Sequence, residues 1–317
     1  GASYLYGGGV VLLVITALFG REVNGARAWI GVDNFGVQPS EFTKLTTIVF
    51  LSNYLSGIGS GIKELPRFFL GLAIVLLPVG LILLQTDMGT AMVYVPMFLV
   101  ATLVSGAEIR HLAFLLSVVV VTFVMAVLPD LSPDDSLSMA ADALLDPGTV
   151  RLAGGALLAI VVLGFIGYWL SQSKWLYWAG YLSSIVLGGV MGSTLVRSVL
   201  KPYQIVRLAA FLDPYSDPLG AGWNIIQSKT AVGSGGLVGK GYLQGTQSHY
   251  QFLPQQSTDF IFSILAEEWG YRGSLLVLGL FALVLLPAIA ICRRARDEFG
   301  SVLAAGIVGI LGTHMLV

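Results

Sequence analysis

The feature that most constrains this chain is a succession of apolar runs, most of them about as long as a bilayer is thick. A transmembrane α-helix needs roughly 20 predominantly apolar residues. One run, 41–56, is weaker than the others because it carries Glu41 and Lys44. The predicted spans cover residues 3–19, 41–56, 67–84, 90–105, 112–128, 151–170, 175–196, 273–291 and 301–317.

Charged residues are too scarce to cover a surface that faces water. They make up 11% of 317 residues, whereas a soluble domain usually has about 25%. This excludes a soluble enzyme, a disordered chain and a disulfide scaffold. A net charge of −1 does not indicate the basic surface that nucleic-acid binding requires. We therefore expect an all-α polytopic membrane protein with about nine transmembrane helices. Because the chain lacks an initiator Met and stops inside an apolar run, we expect a fragment of a larger bundle.

The distribution of cations over the connections predicts the topology. Lys and Arg concentrate in short loops on the cytoplasmic side of a membrane. The turn 85–89 has no cation, and the connection 129–150 contains five aspartates. We predict that these two connections are external. The connections predicted to be cytoplasmic carry Lys63 with Arg67, Arg110, Lys174, and Arg293 with Arg294 and Arg296.

A long segment, 198–258, separates two of the spans and is predicted to be external. Its apolar positions 205, 206, 208, 209, 211 and 212 predict a short helix at the membrane interface, with Lys201 and Arg207 toward the headgroups. The sequence Asp213-Pro214 ends that helix, because proline cannot continue it. Long ordered connections of this kind are often functional.

Glu41 and Lys44 form a candidate polar pair. Pro39 and Ser40 are typical of a helix start, and residues at i and i+3 share one face of a helix. Two interpretations stay open: the pair lines a cavity, or it is a neutralised pair that orients the helix at the interface. Asp87, in the tight turn 85–89, is best explained by turn chemistry.

The stretch 229–241 is rich in glycine and contains Lys229 and Lys240. Backbone N–H groups of such a stretch can approach an anion closely, with the two lysines adding charge. The alternative is a re-entrant segment whose glycines permit close packing. The stretch matches neither a P-loop nor a dinucleotide fingerprint, since Gly239-Lys240 is followed by glycine.

Three carboxylates mark the start of the span that follows. Asp259 opens the apolar run at the first turn of a helix, where it either caps the helix or accepts a proton from a substrate hydroxyl. Glu267 and Glu268 lie two turns deeper, and at 100° per residue at most one of them shares the face of Asp259. Arg272 is spaced to pair with one of the two glutamates.

Several of these stretches together resemble the SEDS family (shape, elongation, division and sporulation proteins). The resemblance covers roughly residues 1–128 and 200–317, and Gly-Thr-Gln-Ser at 245–248 favours the elongation branch over the division branch. The matching stretches are Asn-Gly-Ala-Arg-Ala-Trp-Ile at 24–30, Gln-Pro-Ser-Glu at 38–41 with Lys44, Gln-Thr-Asp-Met-Gly-Thr at 85–90, the run 213–241, Gln-Gly-Thr-Gln-Ser at 244–248, Phe-Leu-Pro at 252–254, Thr-Asp-Phe-Ile-Phe at 258–262, and Ala-Glu-Glu at 266–268.

The resemblance implies a peptidoglycan glycosyltransferase of the bacterial cytoplasmic membrane. Such proteins polymerise lipid II into glycan strands on the outer face during cell elongation, and a class B penicillin-binding protein crosslinks the strands. The resemblance implies one membrane-embedded domain, 1–317, whose 198–258 segment is extracytoplasmic.

The resemblance also implies roles for single residues. Asp259 would be the general base, and the leaving undecaprenyl diphosphate would be stabilised by cations or by a divalent metal ion, Mg²⁺ or Mn²⁺. No other cofactor is expected. The implied substrate-binding residues are Glu41, Lys44, Arg207, Lys229, Lys240, Gln247 and Glu267.

The chain departs from the common family pattern in the segment 129–197. We predict that this segment is an insertion, made of an acidic loop and two extra spans. Thr86 stands where the family usually has Pro, and Gln255 where Glu is frequent. Two N-terminal spans and one C-terminal span of the family lie outside this chain.

Two other functions remain open. A lipid II flippase would use the intramembrane charges Glu41, Lys44 and Glu267 along a translocation path. A non-catalytic scaffold of the elongation complex would need none of the catalytic chemistry.

Overall fold

The structure, a computed structural model, describes residues 1–23, 26–32, 35–131, 136–249 and 260–316. Thirteen α-helices lie within these residues. They are α1 (Ala2–Phe19), α2 (Pro39–Ile58), α3 (Leu65–Leu84), α4 (Met88–Val104), α5 (Ile109–Leu131), α6 (Ser136–Leu145), α7 (Pro147–Ser171), α8 (Lys174–Val199), α9 (Pro202–Leu212), α10 (Trp223–Ser234), α11 (Thr246–His249), α12 (Ile261–Arg294) and α13 (Glu298–Leu316).

The predicted all-α polytopic membrane fold is confirmed. Each of the nine predicted spans coincides with one helix. Within the described ranges, eight helices are long and apolar enough to cross a membrane, and the ninth, α4, is an apolar helix of 17 residues. The long connection after α8 carries the short helices α9, α10 and α11, as expected.

The chain divides into two compact units. One unit contains Gly1–Ala113 and Phe281–Val317, and the other contains Phe114–Leu280.

Small residues allow close helix packing in the first unit. A side chain at Gly309 of α13 would meet the backbone of Pro96 and Met97 in α4 at 2.9 Å. Gly306, one turn earlier, packs directly against Ile48 of α2. Within a bilayer, the hydrophobic effect does not drive helices together. Their association depends on close van der Waals packing, which small residues allow.

A small antiparallel sheet joins α1 to α2, and the sequence did not predict it. It consists of β1 (Arg21–Val23), β2 (Ala26–Val32) and β3 (Phe35–Val37) in the order β1-β2-β3. Trp29, Ile30 and Val32 give β2 the aromatic and β-branched composition of a strand. The amide of Arg27 donates to the carbonyl of Gln85 at 3.0 Å, which ties the sheet to the turn after α3. Such short strands between two long apolar runs leave a weak sequence signal.

The second unit is built around an antiparallel hairpin of α7 and α8. The two helices touch where a side chain at Gly164 would meet the backbone of Gly180 at 3.0 Å. Helix α8 also packs on α5, and the Arg197 guanidinium pairs with Asp130 at 2.8 Å. The connection predicted as an acidic loop contains helix α6, because its Ala, Leu and Met residues are strong helix formers.

Candidate active site

The second unit contains a break in α12 at Gly270, which has φ 65° and ψ −161°. A break in a membrane helix frees backbone groups that must find partners within the protein. The part of the glycine-rich stretch that follows α10 supplies these partners. The amide of Tyr271 donates to the carbonyl of Gly236 at 2.9 Å, and the amide of Lys240 donates to the carbonyl of Glu267 at 3.0 Å.

We call the contact between residues 236–240 and the broken part of α12, 267–271, the joint. Two glycines at this joint cannot be replaced without strain. Gly239 has φ 85° and Gly270 has φ 65°, a region that L-residues rarely adopt. A side chain on Gly239 would also collide with the carbonyl of Glu268. Of the two interpretations of the glycine-rich stretch, the structure therefore supports close packing; contact with an anion stays a prediction.

The Glu267 carboxylate lies at the centre of the joint. It is 0% exposed and accepts hydrogen bonds from the Lys240 ammonium at 2.6 Å, from the amide and hydroxyl of Thr246 at 2.9 Å each, and from the Gln247 amide at 3.2 Å. A buried carboxylate is tolerated when it is paired and hydrogen-bonded in this way. Glu267 therefore holds Lys240 and helix α11 against α12.

Three residues predicted for the site thus come together: Lys240, Gln247 and Glu267. Sequence reasoning missed Thr246, which donates twice to the same carboxylate. Its position within the Gly-Thr-Gln-Ser stretch was the available signal.

The predicted pairing of Arg272 with a glutamate is wrong for the described residues. Arg272 makes no ion pair with Glu267 or Glu268 within 4 Å there. Instead Arg272 and the buried Glu268 line a cavity of about 400 Å³ together with Trp269 and Tyr242.

Among the described residues, neither Arg207 nor Lys229 makes an ion pair with the Glu267 cluster, which consists of Glu267, Lys240, Thr246 and Gln247. The Arg207 guanidinium stacks over the Tyr203 ring with 5.5 Å to its centroid, and the Lys229 ammonium lies 6.0 Å from the centroid of Tyr215. Both cationic side chains are exposed, so each is available to an anionic ligand.

In the first unit, Glu41 and Lys44 form the expected pair on one face of α2. Lys44 is only 2% exposed and Glu41 is 50% exposed, and their charged atoms lie 2.8 Å apart. The Lys44 ammonium also lies 3.1 Å from Nε2 of His314 in α13. An ammonium group can only donate, so this imidazole nitrogen acts as the acceptor.

Asp87 caps helix α4. Its carboxylate accepts from the amide and hydroxyl of Thr90 at 3.2 and 2.8 Å, and from the side chain of Gln38 at 2.6 Å. These contacts agree with turn and cap chemistry.

Asp259, the predicted general base, lies outside the described residues. The chain on either side of it is described: Thr246 and Gln247 bind Glu267, and the hydroxyl of Ser263 lies 2.6 Å from that of Ser228 in α10. In the described ranges, no group of three His, Cys, Asp or Glu side chains is placed to hold a metal ion.

The fold and these sites define a multi-pass membrane protein, and comparison with known proteins gives its family. The family model of FtsW, RodA and SpoVE cell cycle proteins matches residues 1–141 and 149–317. The chain belongs to this family. The matched residues include α8 and all of α7 after Gly148, so only 142–148 of the predicted insertion lie outside the family model.

Individual relatives are similar over nearly the whole chain. Peptidoglycan glycosyltransferase RodA of Treponema pallidum is 44% identical over 99% of this chain and 73% of its own length. Peptidoglycan glycosyltransferase MrdB of Escherichia coli is 31% identical over 100% of this chain and 66% of its own length. The chain therefore spans about two thirds to three quarters of the length of these relatives.

A solved structure, among others, is also similar. It concerns the coordination of polymerization and crosslinking by a peptidoglycan synthase complex. The matching chain is 29% identical, with a TM-score of 0.62, over 100% of this chain and 68% of its own length.

Proposed function

We propose that this chain is the membrane-embedded part of a peptidoglycan glycosyltransferase that polymerises lipid II into glycan strands during cell elongation. Membership of the family and the names of the relatives at 44% and 31% identity support the reaction class. By the predicted topology, polymerisation takes place on the outer face of the cytoplasmic membrane.

The observation that carries the proposal is the joint around Glu267. The described residues on both sides of Asp259 are anchored by hydrogen bonds. On one side α11 is bound to Glu267, and on the other Ser263 is bound to Ser228 of α10. Precise placement of a catalytic group requires rigid support of this kind. The buried Glu267 positions its neighbours and is itself fully engaged.

In this mechanism Asp259 acts as the general base. Its carboxylate accepts the proton of the acceptor sugar hydroxyl while that oxygen attacks the anomeric carbon of the donor. The bond to undecaprenyl diphosphate breaks, and cations stabilise the charge that develops on the leaving group. Lys240, held 2.6 Å from Glu267, and the exposed Arg207 and Lys229 are the candidate cations of the second unit. A divalent cation would serve the same end, although no three His, Cys, Asp or Glu side chains of the described residues are placed to hold one.

We also propose a class B penicillin-binding protein as the crosslinking partner, with its transmembrane helix docked on the helical bundle. The similar solved structure, in which polymerization and crosslinking are coordinated, supports this pairing. A complex that contacts only the external segment 198–258 would contradict it.

The function is tested with the full-length protein and its transpeptidase partner in vesicles that contain fluorescent lipid II. We expect glycan strands, visible as a ladder of high-mass products on a gel. Movement of lipid II across the vesicle without polymer would instead support the flippase. Absence of both activities, with the complex intact, would support the scaffold.

A further inference from the structure

A cavity of about 630 Å³ lies in the second unit, where α7 begins and α8 ends. It involves none of the residues that the proposed mechanism uses. Because both of these helices are long enough to cross the membrane, a cavity at their ends lies at the level of the lipid headgroups. By the predicted topology this is the outer leaflet. The polar side chains that line it are Asp142, Asp146, Arg151, Thr194, Arg197 and Ser198.

Two of these charges are committed to the fold. The Arg197 guanidinium donates to the Asp130 carboxylate at 2.8 Å and to the carbonyl of Ala126 at 2.7 Å. The Asp146 carboxylate accepts from the amide of Gly148 at 3.0 Å and thereby caps α7. These contacts give the cavity a fixed wall.

The other two charges are available. Arg151 and Asp142 are exposed, and neither makes an ion pair within 4 Å among the residues that the structure describes. A guanidinium suits a phosphate group, since it presents several donors in a planar fork. A carboxylate suits an ammonium group. One cavity therefore offers a site for each half of a zwitterion.

An apolar groove continues from this cavity along α8. The two share Thr194 and Ser198, and the groove of about 470 Å³ extends over Met191 and Leu195. Both apolar side chains are exposed. A cavity lined by charged side chains and adjoining an apolar groove fits a molecule with a charged head and a hydrocarbon tail.

We propose that this composite site binds one zwitterionic glycerophospholipid. Its phosphate lies against Arg151, its ammonium group against Asp142, and one acyl chain along Met191 and Leu195. The pairing of one available cation with one available anion selects this lipid class over an anionic phospholipid, which has no ammonium group.

Binding is measured by native mass spectrometry of the purified protein with three short-chain probes: phosphatidylethanolamine, phosphatidylglycerol and diacylglycerol. We expect phosphatidylethanolamine to bind most tightly. A charge-assisted contact corresponds to about a tenfold change in affinity. Arg151→Gln should therefore weaken both phospholipids by about tenfold, whereas Asp142→Asn should remove only the preference for phosphatidylethanolamine. Arg294→Gln, an exposed arginine at the predicted cytoplasmic end of α12, is the control and should change neither affinity.

Equal binding of the three probes, or affinities that Arg151→Gln leaves unchanged, would overturn the proposal. A second measurement does not depend on these variants. A photoreactive amino acid at Leu195 should crosslink to phospholipid in native membranes, and crosslinking to a protein there would show that the groove is an interface.

Discussion

Two buried charges, Glu267 and Lys44, show how single residues organise this chain. Each is almost completely inaccessible, at 0% and 2% exposure. Each also has an opposite charge within 3 Å, Lys240 at 2.6 Å and Glu41 at 2.8 Å. A charge inside a membrane protein is costly unless it is paired and is usually functional. The two pairs are therefore candidate functional sites within an otherwise apolar bundle.

Glu267→Gln is the residue-scale test of the site. The amide that replaces one carboxylate oxygen would present a donor to the Thr246 and Gln247 amides and would leave the Lys240 charge without its counter-ion. Removal of one partner of a buried pair costs about 3–5 kcal/mol, so we expect a clear fall in the thermal unfolding midpoint and a loss of polymerisation. Both are measured on purified protein in detergent.

Glu64→Gln provides the matched control, because Glu64 pairs with Arg67 on the surface at 3.3 Å with 61% of its side chain exposed. A surface pair contributes only about 0–1 kcal/mol. Equal effects of the two substitutions would mean that Glu267 does not organise the site.

At the scale of elements, the positions of the transmembrane helices could be predicted because each apolar run is by itself long and apolar enough to cross a bilayer. Elements that depend on distant partners could not. The sheet β1-β2-β3 is held in part by a hydrogen bond to the carbonyl of Gln85. At the break in α12, the amide of Tyr271 finds its acceptor in the carbonyl of Gly236, 35 positions earlier in the chain. Charge spacing suggested that Arg272 pairs with a glutamate, whereas the Lys240 ammonium binds Glu267.

The glycines of the joint give the element-scale prediction. Gly239→Ala would require a left-handed backbone with a side chain directed at the carbonyl of Glu268. Such strain costs of order 1–3 kcal/mol, so we expect the thermal midpoint and the polymerisation rate to fall together.

Gly233→Ala is the control for this change. Gly233 lies inside α10 with nothing within 4 Å of the added methyl group, and alanine is favoured over glycine in a helix by about 1 kcal/mol. It should be neutral or stabilising. If Gly239→Ala behaved like Gly233→Ala, the joint would not need its tight packing.

At the scale of the whole molecule, the low charge content has a specific consequence. With 11% charged residues, the chain uses one set of cations for topology and retains few charges for chemistry. In the second unit, the charges that we propose for binding are the Glu267 cluster, the exposed Arg207 and Lys229, and the separate cavity at Arg151. The family model matches almost the entire chain, including the residues around Glu267, nearly all of α7 and all of α8.

We propose that polymerisation by the whole protein depends on the carboxylate of Asp259. The most direct test is the initial rate of glycan-strand formation from labelled lipid II by the full-length protein with its partner, comparing the wild type with Asp259→Asn. Loss of a general base lowers a rate by about 10²–10⁴-fold, so we predict a loss of at least 100-fold with unchanged thermal stability. Asp297→Asn, an exposed aspartate near the predicted cytoplasmic end of α13, should retain the wild-type rate. Strand formation by Asp259→Asn within a few-fold of the wild-type rate would contradict the role of Asp259 as general base.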